Sequence, residues 1–92
     1  MSEKHLLIFS AKWCGPCKMM KAYVWEHGDV KKALENFTSV NFIDIDDPKN
    51  IDMARIYRVN AVPTIYVVDD KGVPIKVGST MDVNQTVNFL EK

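Results

Sequence analysis

The sequence has few of the residues that build a metal centre or a disulfide-stapled fold. Cysteine and histidine each occur twice among the 92 residues. A tetrahedral zinc site takes four ligands, and neither a second Cys-x-x-Cys pair nor a histidine pair with ligand spacing is present. A structural disulfide between cysteines three positions apart would constrain the unfolded chain little. Redox chemistry therefore explains the cysteine pair better than zinc binding or stapling does.

The chain also lacks an excess of charge and a long apolar run. Twelve lysine and arginine residues balance twelve aspartate and glutamate residues, which argues against nucleic acid or a membrane as the partner. No apolar run approaches the roughly 20 residues that span a membrane. Residues 1–5 lead into a strand pattern without the apolar segment of a secretory signal. We therefore expect a single cytoplasmic domain, residues 1–92.

Both cysteines lie in residues 13–18, Trp-Cys-Gly-Pro-Cys-Lys, between an apolar run that predicts a buried strand and a segment that predicts a helix. The unpaired N–H groups and partial positive charge of a helix N-terminus stabilise a thiolate, which is the nucleophilic form of cysteine. Pro16 suits the first helical turn, and Cys17 lies within disulfide reach of Cys14. We predict that Cys14 attacks a target disulfide and Cys17 resolves the mixed disulfide, with Cys14 the more exposed sulfur.

The hydrophobic pattern predicts an α/β fold with the element order β-α-β-α-β-β-α. The first half requires a right-handed parallel crossover and the second half contains an antiparallel hairpin, so the four-stranded sheet is mixed and is flanked by helices. Asp29 and Asp82 are predicted to cap helices. The predicted strands span residues 5–10, 40–46, 64–68 and 73–77, and the predicted helices span 15–25, 30–36, 48–57 and the segment from 83 onward.

The apolar residues of the helices also predict which side chains face the sheet. For the helix that follows the cysteines these are Met19, Met20, Tyr23 and Val24. His27, beyond that helix, is predicted to be a solvated loop residue. The inner residues predicted for the third helix are Ile51, Ala54 and Tyr57.

Three segments of the chain resemble characteristic segments of the thioredoxin family. Residues 13–18 match the family's active-site motif at every position, residues 57–64 resemble the segment around its cis-proline, and residues 76–78 resemble its third surface loop. With the element order, the resemblance covers nearly the whole chain and implies a minimal thioredoxin fold. Full-length members have a further strand and helix before the first element seen here, so we expect one sheet edge to be covered differently.

The resemblance implies a surface on which a substrate polypeptide docks. The Val62–Pro63 peptide bond is expected to be cis and to lie beside the cysteine pair. In the family, the backbone just before this proline pairs with the extended substrate as an added strand would. The residues expected on the docking surface are Trp13, Gly15, Pro16, Val62, Pro63, Gly78 and Ser79.

The activity that the resemblance implies is thiol–disulfide exchange that reduces protein disulfides. Its electron donor would be an NADPH-dependent thioredoxin reductase or a similar flavoprotein. No cofactor is expected beyond the redox-active disulfide Cys14–Cys17, and we expect a monomer. One alternative is a non-catalytic thioredoxin-fold binding subunit. Another is a glutaredoxin-like, glutathione-dependent reductase, although such enzymes usually have tyrosine or phenylalanine between the cysteines, where this chain has Gly15 and Pro16.

Three positions depart from the family pattern. The buried aspartate six residues before the first active cysteine is replaced by Ile8, and the lysine that accompanies it aligns with Phe42. The family's mid-helix proline is Ala22 here. Because the first two changes remove the usual proton acceptor for the resolving thiol, we expect Cys17 to deprotonate more slowly, through water or a nearby carboxylate such as Asp46.

Overall fold

The computed structural model describes residues 3–91 and shows strands and helices following one another as in α/β proteins. The predicted α/β architecture, a mixed four-stranded sheet flanked by helices, is confirmed. The strands are β1 (His5–Ser10), β2 (Ser39–Asp44), β3 (Thr64–Val68) and β4 (Pro74–Gly78), and the helices are α1 (Gly15–Tyr23), α2 (Gly28–Leu34), α3 (Ile51–Ile56) and α4 (Val83–Glu91). A short 3-10 helix, Pro48–Asn50, precedes α3.

Strand β1 lies inside the sheet, whose strand order is β2-β1-β3-β4. It pairs in parallel with β2 and antiparallel with β3, and β4 pairs antiparallel with β3. The four residues from Leu6 to Phe9 are at most 5% exposed, because the strand is covered on both faces. The chain leaves β1 at Ser10 and enters α1 at Gly15, so the cysteine motif follows the carboxyl end of an inner strand.

The two faces of the sheet are packed by different helices. Leu6 and Ile8 point to the face that α1, α2 and α4 cover, where they join Val30 of α2 and Leu90 of α4 in the larger core. The alternate residues of β1 point to the other face, against α3 and the segment that precedes β3. Alternation of side chains along β1 thus divides the core into two layers, as the period of a strand requires.

The break between the first two helices differs from the prediction. Helix α1 ends at Tyr23, two residues before the predicted end, and α2 begins at Gly28. His27 caps α2, since its Nδ1 accepts a hydrogen bond from the Asp29 N–H at 3.2 Å. The prediction that Asp29 is the cap was therefore wrong, because the ring nitrogen of His27, two residues earlier, already supplies the acceptor.

Strand β2 ends at Asp44, two residues before the predicted end. The Asp44 side chain causes this, because its Oδ1 accepts a hydrogen bond from the Asp46 N–H at 2.9 Å and bends the backbone. Asp47 then caps the 3-10 helix by accepting from the Lys49 N–H at 3.1 Å. Asp44 thus ends the strand, Asp46 lies in the bend that follows, and Asp47 caps the 3-10 helix.

Several side chains predicted to face the sheet are exposed. Met20 and Val24 are buried as predicted, but Met19 and Tyr23 are 60% and 73% exposed. The inward stripe of α1 follows Cys17, Met20 and Val24, which leaves residues one position earlier on a flank of the helix.

Helix α3 shows the same kind of difference on the other face of the sheet. Ile51 is 47% exposed, so the prediction that it faces inward was wrong. Ala54 and Tyr57 do pack against the core, and they alone of the three predicted residues hold the short helix on the sheet.

The cap of α4 is confirmed. Asp82 Oδ1 accepts from the Gln85 N–H at 2.8 Å, and Gln85 Oε1 accepts from the Asp82 N–H at 3.0 Å. This reciprocal pair is a capping box, which satisfies two N–H groups that the helix leaves unpaired. Leu90 of α4 is fully buried.

Candidate active site

Cys14 and Cys17 form a disulfide at the start of α1. Their Cα atoms are 5.2 Å apart. Cys14 is the N-cap residue with an extended backbone, and its Sγ accepts a hydrogen bond from the Cys17 N–H at 3.1 Å. Pro16 occupies the first helical turn, where a missing N–H has no cost. A thiolate at Cys14 would therefore lie on the helix N-terminus, with an N–H donor already directed at it.

Both cysteine residues are buried, and the prediction that the Cys14 sulfur is the more exposed of the two stays a prediction. Cys14 is 3% exposed and Cys17 is 8% exposed. The Val62 carbonyl oxygen lies 3.6 Å from Cys14 Sγ, and Ala11, Ile45 and Val62 pack around the pair. The segment that precedes β3 thus covers the sulfur of Cys14. In the reduced protein the Val62 carbonyl would be an acceptor for the Cys14 thiol.

The segment that covers the disulfide is held by the loop after β4. The Val62–Pro63 peptide bond is cis, and Pro63 is buried. Ser79 Oγ donates a hydrogen bond to the Pro63 carbonyl at 3.1 Å. A Cβ at Gly78, the last residue of β4, would lie 2.9 Å from a ring carbon of Phe89, so glycine at this position lets α4 pack closely against β4. Residues 78–79 are thereby placed beside residues 62–63.

Trp13 is the most exposed aromatic residue next to the cysteines. Its side chain is 66% exposed, and its indole N–H donates to Asp46 Oδ2 at 2.8 Å. Gly15 and Pro16 are exposed on the same turn. The structure therefore brings the predicted docking residues together in three segments around the disulfide: residues 13–16, 62–63 and 78–79.

A hollow of about 300 Å³ lies on one flank of α1 and reaches Cys17. We call it the Cys17 hollow. Ile8 is 2% exposed at its base, and Phe42 meets Trp25 edge-on with ring centroids 6.0 Å apart. The hollow is lined by Ile8, Ser10, Ala11, Lys12, Cys17, Lys18, Met20, Lys21, Trp25, Phe42, Asp44 and Pro63.

Asp44 borders this hollow, whereas Asp46, the carboxylate named from the sequence, does not. Asp46 is exposed beyond the end of β2 and accepts the Trp13 indole N–H. The signal that points to Asp44 was present in the sequence, because Phe42 and Asp44 alternate along one strand and therefore share a face.

A second hollow, of about 380 Å³, lies on the opposite flank of α1, between that helix and the chain that leads into α4. We call it the Met19 hollow. Its lining is mostly apolar, and among the residues that the structure describes its polar side-chain groups are those of Tyr23, Thr80 and Asp82. It is lined by Pro16, Met19, Met20, Tyr23, Val24, Thr80, Met81, Asp82 and Val83.

Tyr57 has a raised pKa on the other face of the sheet. Burial is the main cause, followed by repulsion from Asp69 and Tyr66. Its hydroxyl donates to the Gly72 carbonyl at 2.6 Å, and its ring packs against Phe9 with centroids 5.9 Å apart. Tyr57 therefore stabilises the turn between β3 and β4 and does not contribute to the disulfide site.

Residues 3–91 contain neither a candidate metal-binding cluster nor a candidate membrane-spanning helix. Within that range, no group of three or more histidine, cysteine, aspartate or glutamate side chains is placed to hold a metal ion. None of the helices described there is both long enough and apolar enough to cross a membrane.

Comparison with known proteins finds thioredoxins both in sequence and in structure. Thioredoxin H2-1 of Oryza sativa subsp. japonica is 38% identical over 85 residues, which is 89% of this chain and 56% of the relative. The mitochondrial thioredoxin of Mus musculus is 36% identical over 89 residues, 91% of this chain and 48% of the relative. The chain therefore spans about half the length of these curated relatives.

The structural neighbours have the same fold. A thioredoxin from Thermus thermophilus superposes with a TM-score of 0.82 at 22% identity, covering 97% of this chain and 72% of that one. A mutant thioredoxin from Halobacterium salinarum NRC-1 gives a TM-score of 0.70 at 28% identity, covering 97% and 73%. The thioredoxin family model matches residues 1–92. Since that match extends over the whole sequence given, the chain belongs to the thioredoxin family.

Proposed function

We propose that the chain is a thiol–disulfide oxidoreductase that reduces disulfides in proteins. The Cys14 thiolate attacks one sulfur of a substrate disulfide and forms a mixed disulfide, and the other substrate sulfur leaves as a thiolate that takes up a proton. The Cys17 thiolate then attacks Cys14 Sγ, which forms the Cys14–Cys17 bond and releases the second substrate thiol. The substrate gains two electrons and two protons, and the cysteine pair loses them.

The observation that carries this proposal is the position of the disulfide at the N-terminus of α1, beneath the Pro63 segment. A helix N-terminus stabilises the thiolate that begins the reaction. The Cys17 N–H, which donates to Cys14 Sγ, would make a charge-assisted bond to that thiolate. Because Cys17 lies one turn along α1 and within bonding distance of Cys14, it is placed to react with Cys14 Sγ.

The docking surface in this proposal comprises Trp13, Gly15, Pro16, Val62, Pro63, Gly78 and Ser79. Its support is that Ser79 is hydrogen-bonded to the Pro63 segment and that the Val62 carbonyl contacts Cys14 Sγ. An extended substrate would pair with the backbone just before Pro63 and present its own disulfide to Cys14.

The remaining parts of the proposal concern the partners of the protein and its cellular compartment. We propose one domain over residues 1–92 that acts as a monomer on protein disulfides and is reduced again by an NADPH-dependent thioredoxin reductase or a similar flavoprotein. The proposed compartment is the cytoplasm, where the prevailing thiol poise keeps such a pair reduced. The mouse relative is named mitochondrial, whereas the name of the rice relative gives no compartment.

The test is reduction of a small disulfide-bonded protein such as insulin, with dithiothreitol as the electron donor. We expect Cys14→Ser to lower the rate to that of dithiothreitol alone, because the attacking thiolate is lost. We expect Cys17→Ser to accumulate a covalent complex with the substrate through Cys14, visible on a non-reducing gel, because the mixed disulfide is no longer resolved.

A matched control is Met53→Ser, which removes a sulfur from a partly exposed position on α3. It should retain the activity of the unaltered chain. Activity retained by Cys14→Ser would contradict the proposed reaction and would favour the non-catalytic binding subunit.

A further inference from the structure

The resolving thiol has to lose a proton inside the protein. Cys17 is 8% exposed and lies in the first turns of α1, so bulk water does not reach it freely. Only the thiolate attacks the mixed disulfide. The side chains at Ile8 and Phe42 are apolar and accept no proton. The base for Cys17 must therefore be found elsewhere around the sulfur.

The Cys17 hollow is the route by which water reaches this thiol. Its volume of about 300 Å³ is large enough for several water molecules, and Ser10 and Asp44 give it polar groups to which they would bind. Lys12, Lys18 and Lys21 bring positive charge to the same hollow, from the loop after β1 and from α1. β3 and the segment before it contribute only Pro63 and no titratable group to the lining.

Asp44 is the only carboxylate that lines the hollow among residues 3–91. The three lysine side chains have ammonium groups, which donate hydrogen bonds and have no acceptor. One oxygen of Asp44, Oδ1, accepts the Asp46 N–H, and no described residue makes a hydrogen bond to Oδ2. That oxygen is available to water in the hollow.

The neighbouring carboxylates are committed to other contacts. Asp46 Oδ2 accepts the Trp13 indole N–H at 2.8 Å, and Asp47 Oδ1 accepts the Lys49 N–H at 3.1 Å. Neither lines the hollow. The pleat of β2 directs residue 44 to the side of Phe42, and the bend after it takes the next aspartates away.

We propose that Asp44 is the proton acceptor for Cys17, reached through water in the Cys17 hollow. This inference rests on the proposed function. In the resolving step the Cys17 S–H proton passes to water and from water to an Asp44 oxygen. The Cys17 thiolate then attacks Cys14 Sγ, the bond from Cys14 to the substrate sulfur breaks, and the substrate leaves as a thiolate. The Asp44 carboxyl later returns the proton to solvent or to that leaving thiolate.

The test follows the two cysteines separately with an aromatic disulfide that releases a coloured thiol, 5,5′-dithiobis(2-nitrobenzoate). The first coloured thiolate is released when Cys14 attacks, and the second is released when Cys17 resolves the mixed disulfide. Stopped-flow traces from about pH 5 to 9 give the pH dependence of each phase. We expect Asp44→Asn to slow the second phase at least about tenfold at neutral pH, less at alkaline pH, and to leave the first phase unchanged.

Three matched variants make the outcome decisive. Asp44→Glu keeps a carboxylate in the hollow and should restore most of the second-phase rate, which a merely structural role would not predict. Asp47→Asn removes the same charge from the same turn and should leave the second phase unaltered. A second phase that is unchanged in Asp44→Asn, or that is slowed as much by Asp46→Asn, overturns the proposal.

The same traces separate this inference from the proposed function. Absence of the first phase, together with no reduction of insulin, would count against the proposed reaction as a whole. A normal first phase and normal insulin reduction, with a second phase indifferent to residue 44, would count against Asp44 alone.

Discussion

The two flanks of α1 differ in chemistry although one nine-residue helix borders both hollows. On one flank Lys18 and Lys21 face Asp44 across the Cys17 hollow. On the other flank Met19 and Tyr23 border the Met19 hollow, which has almost no polar lining. Between them runs the buried stripe that contacts the sheet.

This difference separates proton transfer from apolar contact along a single helix. Residues three or four positions apart share a face of a helix, so each stripe of α1 has one character. Charged side chains are gathered on the flank where Cys17 has to ionise. Apolar surface is gathered on the side of Pro16, close to the proposed docking surface.

The sharpest way to test the comparison is to truncate two adjacent methionines. Met20 is 2% exposed in the core, and Met19 is 60% exposed on the apolar flank. We expect Met20→Ala to lower the free energy of unfolding by about 2–5 kcal/mol, because it leaves a cavity. Met19→Ala should change it by about 0.5 kcal/mol or less. Urea denaturation of both variants measures this, and equal losses would show that Met19 belongs to the core.

A smaller effect is expected from the aromatic wall of the Cys17 hollow. Phe42 is 58% exposed, yet its ring meets the buried Trp25 edge-on. We expect Phe42→Ala to lower the free energy of unfolding by about 0.5–1.5 kcal/mol through loss of this pair. Tyr23→Ala, on the opposite flank, should change it by about 0.5 kcal/mol or less. Thermal unfolding of the two variants measures both losses. A larger loss of stability in Tyr23→Ala than in Phe42→Ala would contradict the difference between the two flanks.

The smallest effect concerns the charges of the lysine flank. We expect Lys18→Gln with Lys21→Gln to move the pH midpoint of the second release phase upward by about 0.3 units, because positive charge favours the thiolate. The shift should vanish in about 1 M salt, where the Debye length falls to roughly 3 Å. Lys32→Gln with Lys71→Gln removes the same charge elsewhere. A midpoint moved equally by this control would assign the effect to net charge.

Much of the scaffold around the site could be predicted from the sequence, where local and tertiary signals agree. β1 and β3 have the predicted bounds, because each is a short apolar run that ends at polar residues. The start of α1 follows from Pro16, and the cap of α4 follows from Asp82 with Gln85 three positions later. The two cysteines were found by the same local reasoning.

Other features could not be predicted because they depend on what lies opposite. Apolar residues occur on two adjoining stripes of α1, so periodicity alone does not say whether Met19 or Met20 meets the sheet. The exposed side of Ile51 is likewise decided by how α3 rests on the sheet. The contact of the Trp13 indole N–H with Asp46, the carboxylate named from the sequence as an example, likewise depends on the tertiary fold.

One hydrogen bond links the backbone of α1 to the oxidation state of the cysteine pair. The Cys17 N–H donates to Cys14 Sγ, so the atom that closes the first turn of the helix is also the atom that exchanges electrons. A disulfide sulfur is a weak acceptor, whereas a thiolate accepts a stronger, charge-assisted bond. The amide proton of Cys17 is therefore a natural spectroscopic reporter, and its NMR shift and exchange rate would tell an observer which half of the catalytic cycle the protein has just completed.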